Sequence, residues 1–359
     1  MRRRLAALLL ILVSLAPTAV VQGDLQAAPE RDQAVSAATA AEDVVEIRTT
    51  TDPEEAADLL AGFRALYPTI RVDYAKLTST DLNNRFLAEA NAQGGTADII
   101  WSSAMGLQMK LVNDGYAQRY ASPEAAALPD WAVWRDEAYG VTAEPVAFVY
   151  NRLLLPEARV PHTHAALERT LSANPNAWQG KLVAYDPEHS GAGFLFLTQD
   201  VQETERTWDA VRAMGQVGVK LYTATETMLD SVASGKALLA YDILGSYALE
   251  RAKHEPVLGV VLPSDFTIVV SRIAFIPRAA RHPNAARLFL DYLLSRDGQA
   301  RLAARSLTPA REDARGATAP AVPAAALRPI PVGPELLAWL DQIKRARFLK
   351  QWRRALAGS

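Results

Sequence analysis

One pattern constrains this chain more than any other: a short apolar run ends in Ser and Thr, and a helix begins directly after it. Val44-Val45-Glu46-Ile47 delivers Thr49-Thr50-Thr51, Ile70 to Tyr74 is followed by Thr78-Ser79-Thr80, and Ala97 to Trp101 ends in Ser102-Ser103. The helices carry their own signals. Asp52 suits an N-cap, Pro53 the first helical position and Glu55 a capping box. Ala56, Leu59, Leu60, Phe63 and Leu66 then form one buried face. Thr78 caps a helix over 82–92 that Gly94-Gly95 stops, and Ala104 to Val112 reads helical. Strands alternating with helices at this spacing predict an α/β fold with a mostly parallel sheet, whose ligands sit beyond the carboxyl ends of its strands. Thr50, Thr51, Thr78, Ser102 and Ser103 fall at such ends and are candidate ligand contacts, although each taken singly suits a helix cap.

The same unit recurs at Lys181 to Phe194, KLVAYDPEHSGAGF. An apolar run breaks at Asp186-Pro187 into a loop carrying His189, Ser190, Gly191 and Ala192, and a helix resumes. Free N–H groups at a helix start attract oxyanions, and glycine lets a ligand approach the main chain. Later, Thr225-Glu226-Thr227 caps a helix over 228–234, and the strand Ala237 to Tyr241 ends in Asp242. Neutral donors at Thr50, Thr51, Ser102, Ser103 and Ser190 to Ala192 would hold an anionic head. The carboxylates of Asp186, Glu226 and Asp242 would accept from a hydroxyl- or amine-bearing tail.

Arg2-Arg3-Arg4, an apolar core from Leu5 to Leu15 and small residues up to Gly23 read as a secretory signal peptide over 1–23, so the expected location is periplasmic. That core is too short to span a bilayer. Residues 24–43 read as a flexible leader. The chain has no cysteine and must be stabilised by its core, which a half-apolar composition permits. Of the 38 basic residues three lie in the signal peptide, leaving 35 against 40 acidic residues, which gives no reason to bind nucleic acid. There is no Walker loop, no G-x-G-x-x-G and no G-x-S-x-G elbow around Ser190. The expectation is therefore no enzyme and no cofactor. His162 and His164 stand one apart with no third ligand nearby in sequence, and no resident metal is assigned to them.

Two long apolar runs, one after Pro145 and one from Thr267 to Pro277, flank a segment with its own strand and helix pattern. With these in place, Glu144 to Asn151, GKALLAYDILGSY (Gly235 to Tyr247) and HPNAARLFLDYLLSRDGQ (His282 to Gln299) resemble the periplasmic solute-binding proteins of ABC importers. The resemblance is to the branch that includes ferric-binding and hexose-phosphate-binding members. It implies a periplasmic-binding-protein type II clamshell, two discontinuous α/β lobes joined by two hinge strands: lobe 1 from 44–144 and 272–359, lobe 2 from 145–271. It also implies a monomer that delivers a small anionic solute, an organophosphate such as a sugar phosphate or phosphonate, to an inner-membrane ABC permease. Two alternatives stay open: a ferric-binding protein with Tyr241, Asp242 and His189 as ligands, or a sensory protein presenting ligand to a receptor kinase. Ferric-binding members carry two adjacent tyrosines, whereas here Tyr241 is followed by Asp242. The last helix, 335–356, is expected to turn Leu336, Leu340 and Phe348 inward and Arg345 to water.

Overall fold

A computed structural model describes residues 41–92, 94–315 and 323–358. The expected signal peptide and nearly all of the leader lie outside the described residues. Thirteen strands are described: β1 (Val44–Thr49), β2 (Arg71–Lys76), β3 (Ile99–Ser102), β4 (Val133–Trp134), β5 (Ala138–Gly140), β6 (Glu144–Asn151), β7 (Leu182–Tyr185), β8 (Lys220–Tyr222), β9 (Leu239–Leu244), β10 (Leu258–Val261), β11 (Thr267–Val270), β12 (Ile273–Phe275) and β13 (Leu327–Pro329). They form two sheets. The first runs β2-β1-β3-β12-β5-β4; the second runs β13-β11-β6-β9-β7-β8, with β10 added on β6.

The mostly parallel sheet of the sequence reading is present only in part. β1 pairs in parallel with β2 and β3, and β7 with β8 and β9, where a helix separates consecutive strands. β12 and β6 enter antiparallel, because each arrives directly from the other sheet and not through a helix.

The apolar run from Thr267 to Pro277, read as one strand, is two: β11 belongs to the second sheet and β12 to the first. Ser271 and Arg272 lie between them. The other crossing, Val141 to Ala143 between β5 and β6, runs beside it. Val141 N donates to Arg272 O at 2.9 Å, and Arg272 N donates to Thr142 Oγ1 at 2.8 Å. Arg272 is 1% exposed, and its guanidinium spans Glu144 (2.8 Å from Nε), Glu55 (3.2 Å from Nη1) and Thr51 Oγ1 (2.9 Å from Nη1). The capping box expected at Asp52 and Glu55 forms only on the Glu55 side, whose carboxylate accepts from the Asp52 backbone. Asp52 makes no side-chain cap and pairs with Lys76 at 2.8 Å, while Glu55 is drawn to the buried cation.

Residues 272–359, assigned together to lobe 1, divide between the sheets. Helices Pro283–Leu294 and Arg296–Ala304 pack in the core of the first sheet, with Phe289 edge-on to Phe63 at 5.1 Å. β13 pairs with β11 in the second sheet. The last helix also stops short of its expected start. Pro334–Trp339 is a 3-10 turn, and Gln342–Leu356 begins afresh where Asp341 accepts from Lys344 N at 2.8 Å. Phe348 and Trp352 of that helix join a cluster with Trp208 and Val211 of helix Thr207–Gln216.

Candidate functional site

The hydroxyl-bearing loops converge. Residues at the starts of helices Ser79–Asn91, Met105–Asn113 and Gly191–Glu203 line one cavity of about 560 Å³. Two of these helices follow strands of the first sheet and the third follows β7, so both sheets contribute to the wall. An adjoining cavity of about 300 Å³ shares Thr78, Ser79, Ser103 and Ala192 with it and adds Thr50, Asp52, Lys76, Glu226 and Tyr247.

Several hydroxyls at this cleft act within the fold. Thr78 Oγ1 accepts from Asp81 N at 3.2 Å, and Ser190 Oγ accepts from Gly193 N at 3.1 Å, so both are helix caps. Thr50 Oγ1 accepts from Ser103 N at 3.1 Å and lies 3.3 Å from Ser103 Oγ, tying the two loops together. The first-turn N–H groups are left over. Those of Ser79, Thr80, Gly106, Leu107, Gly191 and Ala192 donate to no group among the described residues, and all six residues line the larger cavity. Three helix starts thus present unpaired donors and the positive ends of their dipoles to one space, an arrangement suited to an oxyanion. The space beside Gly191 is open: a Cβ there would meet nothing within 4 Å.

The cavity also holds a cation that sequence reasoning sends to solvent. Arg345 lies 4.0 Å over the ring of Phe194, donates to Glu188 O at 3.4 Å and forms no ion pair among the described residues. Burial pulls this guanidinium below its ordinary pKa, as for a charge short of a counter-ion. Leu336, Trp339 and Leu340 of the preceding turn supply an apolar wall, and the Trp339 indole N–H is buried without a partner. The smaller cavity differs in character. Glu226 opens helix Thr225–Ala233 there, beside Asp52, whose second oxygen accepts from Tyr247 Oη at 3.2 Å.

Of the predicted contacts, Thr50, Thr78, Ser103, His189, Ser190, Gly191, Ala192 and Glu226 line one or both cavities. Thr51, Ser102, Asp186, Tyr241 and Asp242 line neither. Thr51 is fully buried against Arg272, and Ser102 Oγ accepts from Ala104 N at 3.1 Å. Asp186 closes its own loop, accepting from Glu188 N at 2.8 Å and pairing with His189 Nδ1 at 2.8 Å, which raises the imidazole pKa above its ordinary value. Tyr241 and Asp242 sit at a bulge in β9: Ile243 pairs with Ala147 and Ala240 with Val149, so two residues oppose Phe148 alone. There the Tyr241 hydroxyl donates to buried Asp200, and burial with the Asp200 charge beside it raises the Asp242 carboxyl well above the carboxylate range. Tyr241 and Asp242 are thus not brought together with His189, the third ligand of the ferric alternative.

Residues 58–329 match the model of a bacterial extracellular solute-binding protein family. No curated protein matches the chain. Among solved structures, the substrate binding protein of an ABC transporter from Agrobacterium tumefaciens is 38% identical, with a TM-score of 0.80 over 88% of this chain and 94% of that one. Two others share the fold. The periplasmic binding protein AfuA of Actinobacillus pleuropneumoniae, with fructose-6-phosphate bound, is 17% identical with a TM-score of 0.70 over 89% and 100% of the two chains. Iron-bound HitA of Pseudomonas aeruginosa is 18% identical with a TM-score of 0.68 over 87% and 99%.

Proposed function

The chain belongs to the bacterial extracellular solute-binding proteins, and from that premise we propose that it is the periplasmic substrate-binding component of an ABC importer that captures an organophosphate. The observation that carries this reading is the convergence of six unpaired helix-start N–H groups and the unpaired Arg345 on one cavity. Such donors fit the oxygens of a phosphate or phosphonate head. The adjoining cavity takes the rest of the molecule. Lys76 neutralises Asp52 there at 2.8 Å, which leaves Glu226 to oppose a bare anion, by roughly 4 kcal/mol for unit charges 4 Å apart at an effective dielectric near 20, yet both carboxylates accept well from sugar hydroxyls or an amine. A ligand with an anionic head and a hydroxyl-bearing tail satisfies both.

In this reading the two sheets belong to two lobes, the paired crossings at Val141 to Ala143 and Ser271-Arg272 are the hinge, and the ligand is held as the lobes close. The protein binds and delivers; it has no catalytic step. Isothermal titration with glucose 6-phosphate, glycerol phosphate, aminoethylphosphonate, inorganic phosphate and ferric citrate tests the proposal. At least one organophosphate should bind at micromolar affinity or better and inorganic phosphate at least about tenfold more weakly, a gap of about 1.4 kcal/mol. Tight ferric binding with no heat from any organophosphate would overturn it.

A further inference from the structure

The bulge in β9 brings together three groups that the ligand cleft does not use. His164 opens helix His164–Ala173, Asp200 lies on helix Gly191–Glu203 and Asp242 sits in β9. One ligand atom from each lies within 4.8 Å of the other two. The site is dry: Asp200 is 0% exposed and Asp242 5%, and no lysine or arginine pairs with either among the described residues. Asp242 has a φ of 54°, a left-handed conformation that few non-glycine residues adopt.

The surroundings fix how these groups face one another. Tyr241 Oη donates to Asp200 Oδ2, while Asp200 Oδ1 is buried with no hydrogen-bond partner and lies 4.0 Å from His164 Nε2. His164 Nδ1 lies 3.0 Å from Asp265 Oδ1, and Asp265 Oδ2 accepts from His164 N at 2.9 Å. With the Asp265 carboxylate at Nδ1, Nε2 is the ring atom turned toward Asp200, the arrangement found behind most metal-bound histidines. The ring is locked in that orientation, stacked on Phe266 at 3.9 Å and 1° and edge-on to Phe148 at 5.1 Å.

Two carboxyl groups and an imidazole converging in a dry interior need a proton or a cation between them. We propose that His164, Asp200 and Asp242 form a binding site for a divalent first-row metal ion, separate from the ligand cleft. One nitrogen and two carboxylate oxygens suit zinc or manganese better than calcium, which favours all-oxygen sets. The ion would tie helix His164–Ala173, helix Gly191–Glu203 and β9 to one another. It would thereby brace the helix whose first turn faces the cleft, as a resident structural ion and not as cargo.

The test uses untagged protein stripped with EDTA and titrated with zinc, manganese or calcium, read by bound metal per chain and by Tm. Zinc should bind at one equivalent and raise Tm by at least about 2 °C once it exceeds its dissociation constant a hundredfold. Asp242→Asn, which leaves a neutral group able to hydrogen-bond Asp200, should fold with its apo Tm kept or raised and lose at least about tenfold in zinc affinity. His254→Gln, removing an exposed imidazole elsewhere, should keep the full response. No stoichiometric binding and no Tm response to any of the three ions in wild type would overturn the proposal and leave a shared proton between Asp200 and Asp242. An unchanged zinc response in Asp242→Asn would equally place the metal elsewhere.

Discussion

Glu55→Gln should remove a specific part of the pH dependence of stability. Glu55 is 14% exposed in its side chain and touches Arg272, which by itself favours the ionised form. That guanidinium already faces Glu144, which is wholly buried and held below the ordinary glutamate range by Arg272 and by hydroxyl donors from Ser246 and Thr142. One cation cannot neutralise two carboxylates in so dry a place. Burial therefore wins at Glu55, and with Glu144 and Asp52 nearby its pKa rises from 4.5 to about 7. A carboxyl raised in the folded state stabilises the fold fully below pH 4.5, where both states are protonated. That contribution is lost as pH climbs from 4.5 through about 7, because the unfolded chain ionises first. At about 1.4 kcal/mol per pH unit the loss is on the order of 3 kcal/mol. Urea unfolding of wild type and Glu55→Gln at pH 5, 6, 7 and 8 isolates it, since other titrating groups are common to both. The variant should gain on wild type by about 2.5 kcal/mol between pH 5 and 8, the rest of the loss lying below pH 5; a difference that does not change with pH would refute the reasoning.

Other substitutions probe the same fold and cleft. Arg272→Met strands the Glu144 carboxylate and should cost about 3–5 kcal/mol by chemical denaturation; a loss under about 1 kcal/mol would mean that the crossings are held by something else. Arg345→Ala should weaken organophosphate binding by about 1.5–3 kcal/mol in calorimetry while leaving the melting curve nearly unchanged, and unaltered affinity would remove the guanidinium from the site. Ser190→Ala loses a helix cap, which costs about 1 kcal/mol of stability, and its effect on affinity should be smaller than that of Arg345→Ala. A Cβ at Gly193 would sit 2.4 Å from Tyr185 Cβ, so Gly193→Ala should destabilise by about 1–3 kcal/mol; a neutral result would show that the helix can shift at its first turn.

The strand, loop and helix units were legible because their signals are local. Thr78 capping, the Gly94-Gly95 stop and the loop from Asp186 to Gly193 each depend on residues within one turn of one another. What escaped depends on distant partners. The run from Thr267 to Pro277 looks uniform until Arg272 meets Glu144, 128 positions away, and the chain changes sheets between them. Asp52 and Glu55 satisfy the pattern of a capping box, but Lys76 takes the Asp52 carboxylate and Arg272 shares that of Glu55. Arg345 belongs to a basic helix face that reads as solvated. Its position follows from Phe348 and Trp352 docking on helix Thr207–Gln216, which no local spacing reveals. The sequence puts Tyr241 and Asp242 at a strand end, yet a bulge turns both toward Asp200. The cleft's donors were half visible: the helix starts could be read, but many hydroxyls serve as caps and the unpaired N–H groups remain for a ligand.

The most direct test of the central claim is native mass spectrometry of the protein purified from its native cells without refolding, before and after mild unfolding. An organic phosphate or phosphonate should co-purify at up to one per chain and be released on unfolding, with loss of the adduct in Arg345→Ala. A ferric adduct, or a bound solute without an anionic group, would contradict the account.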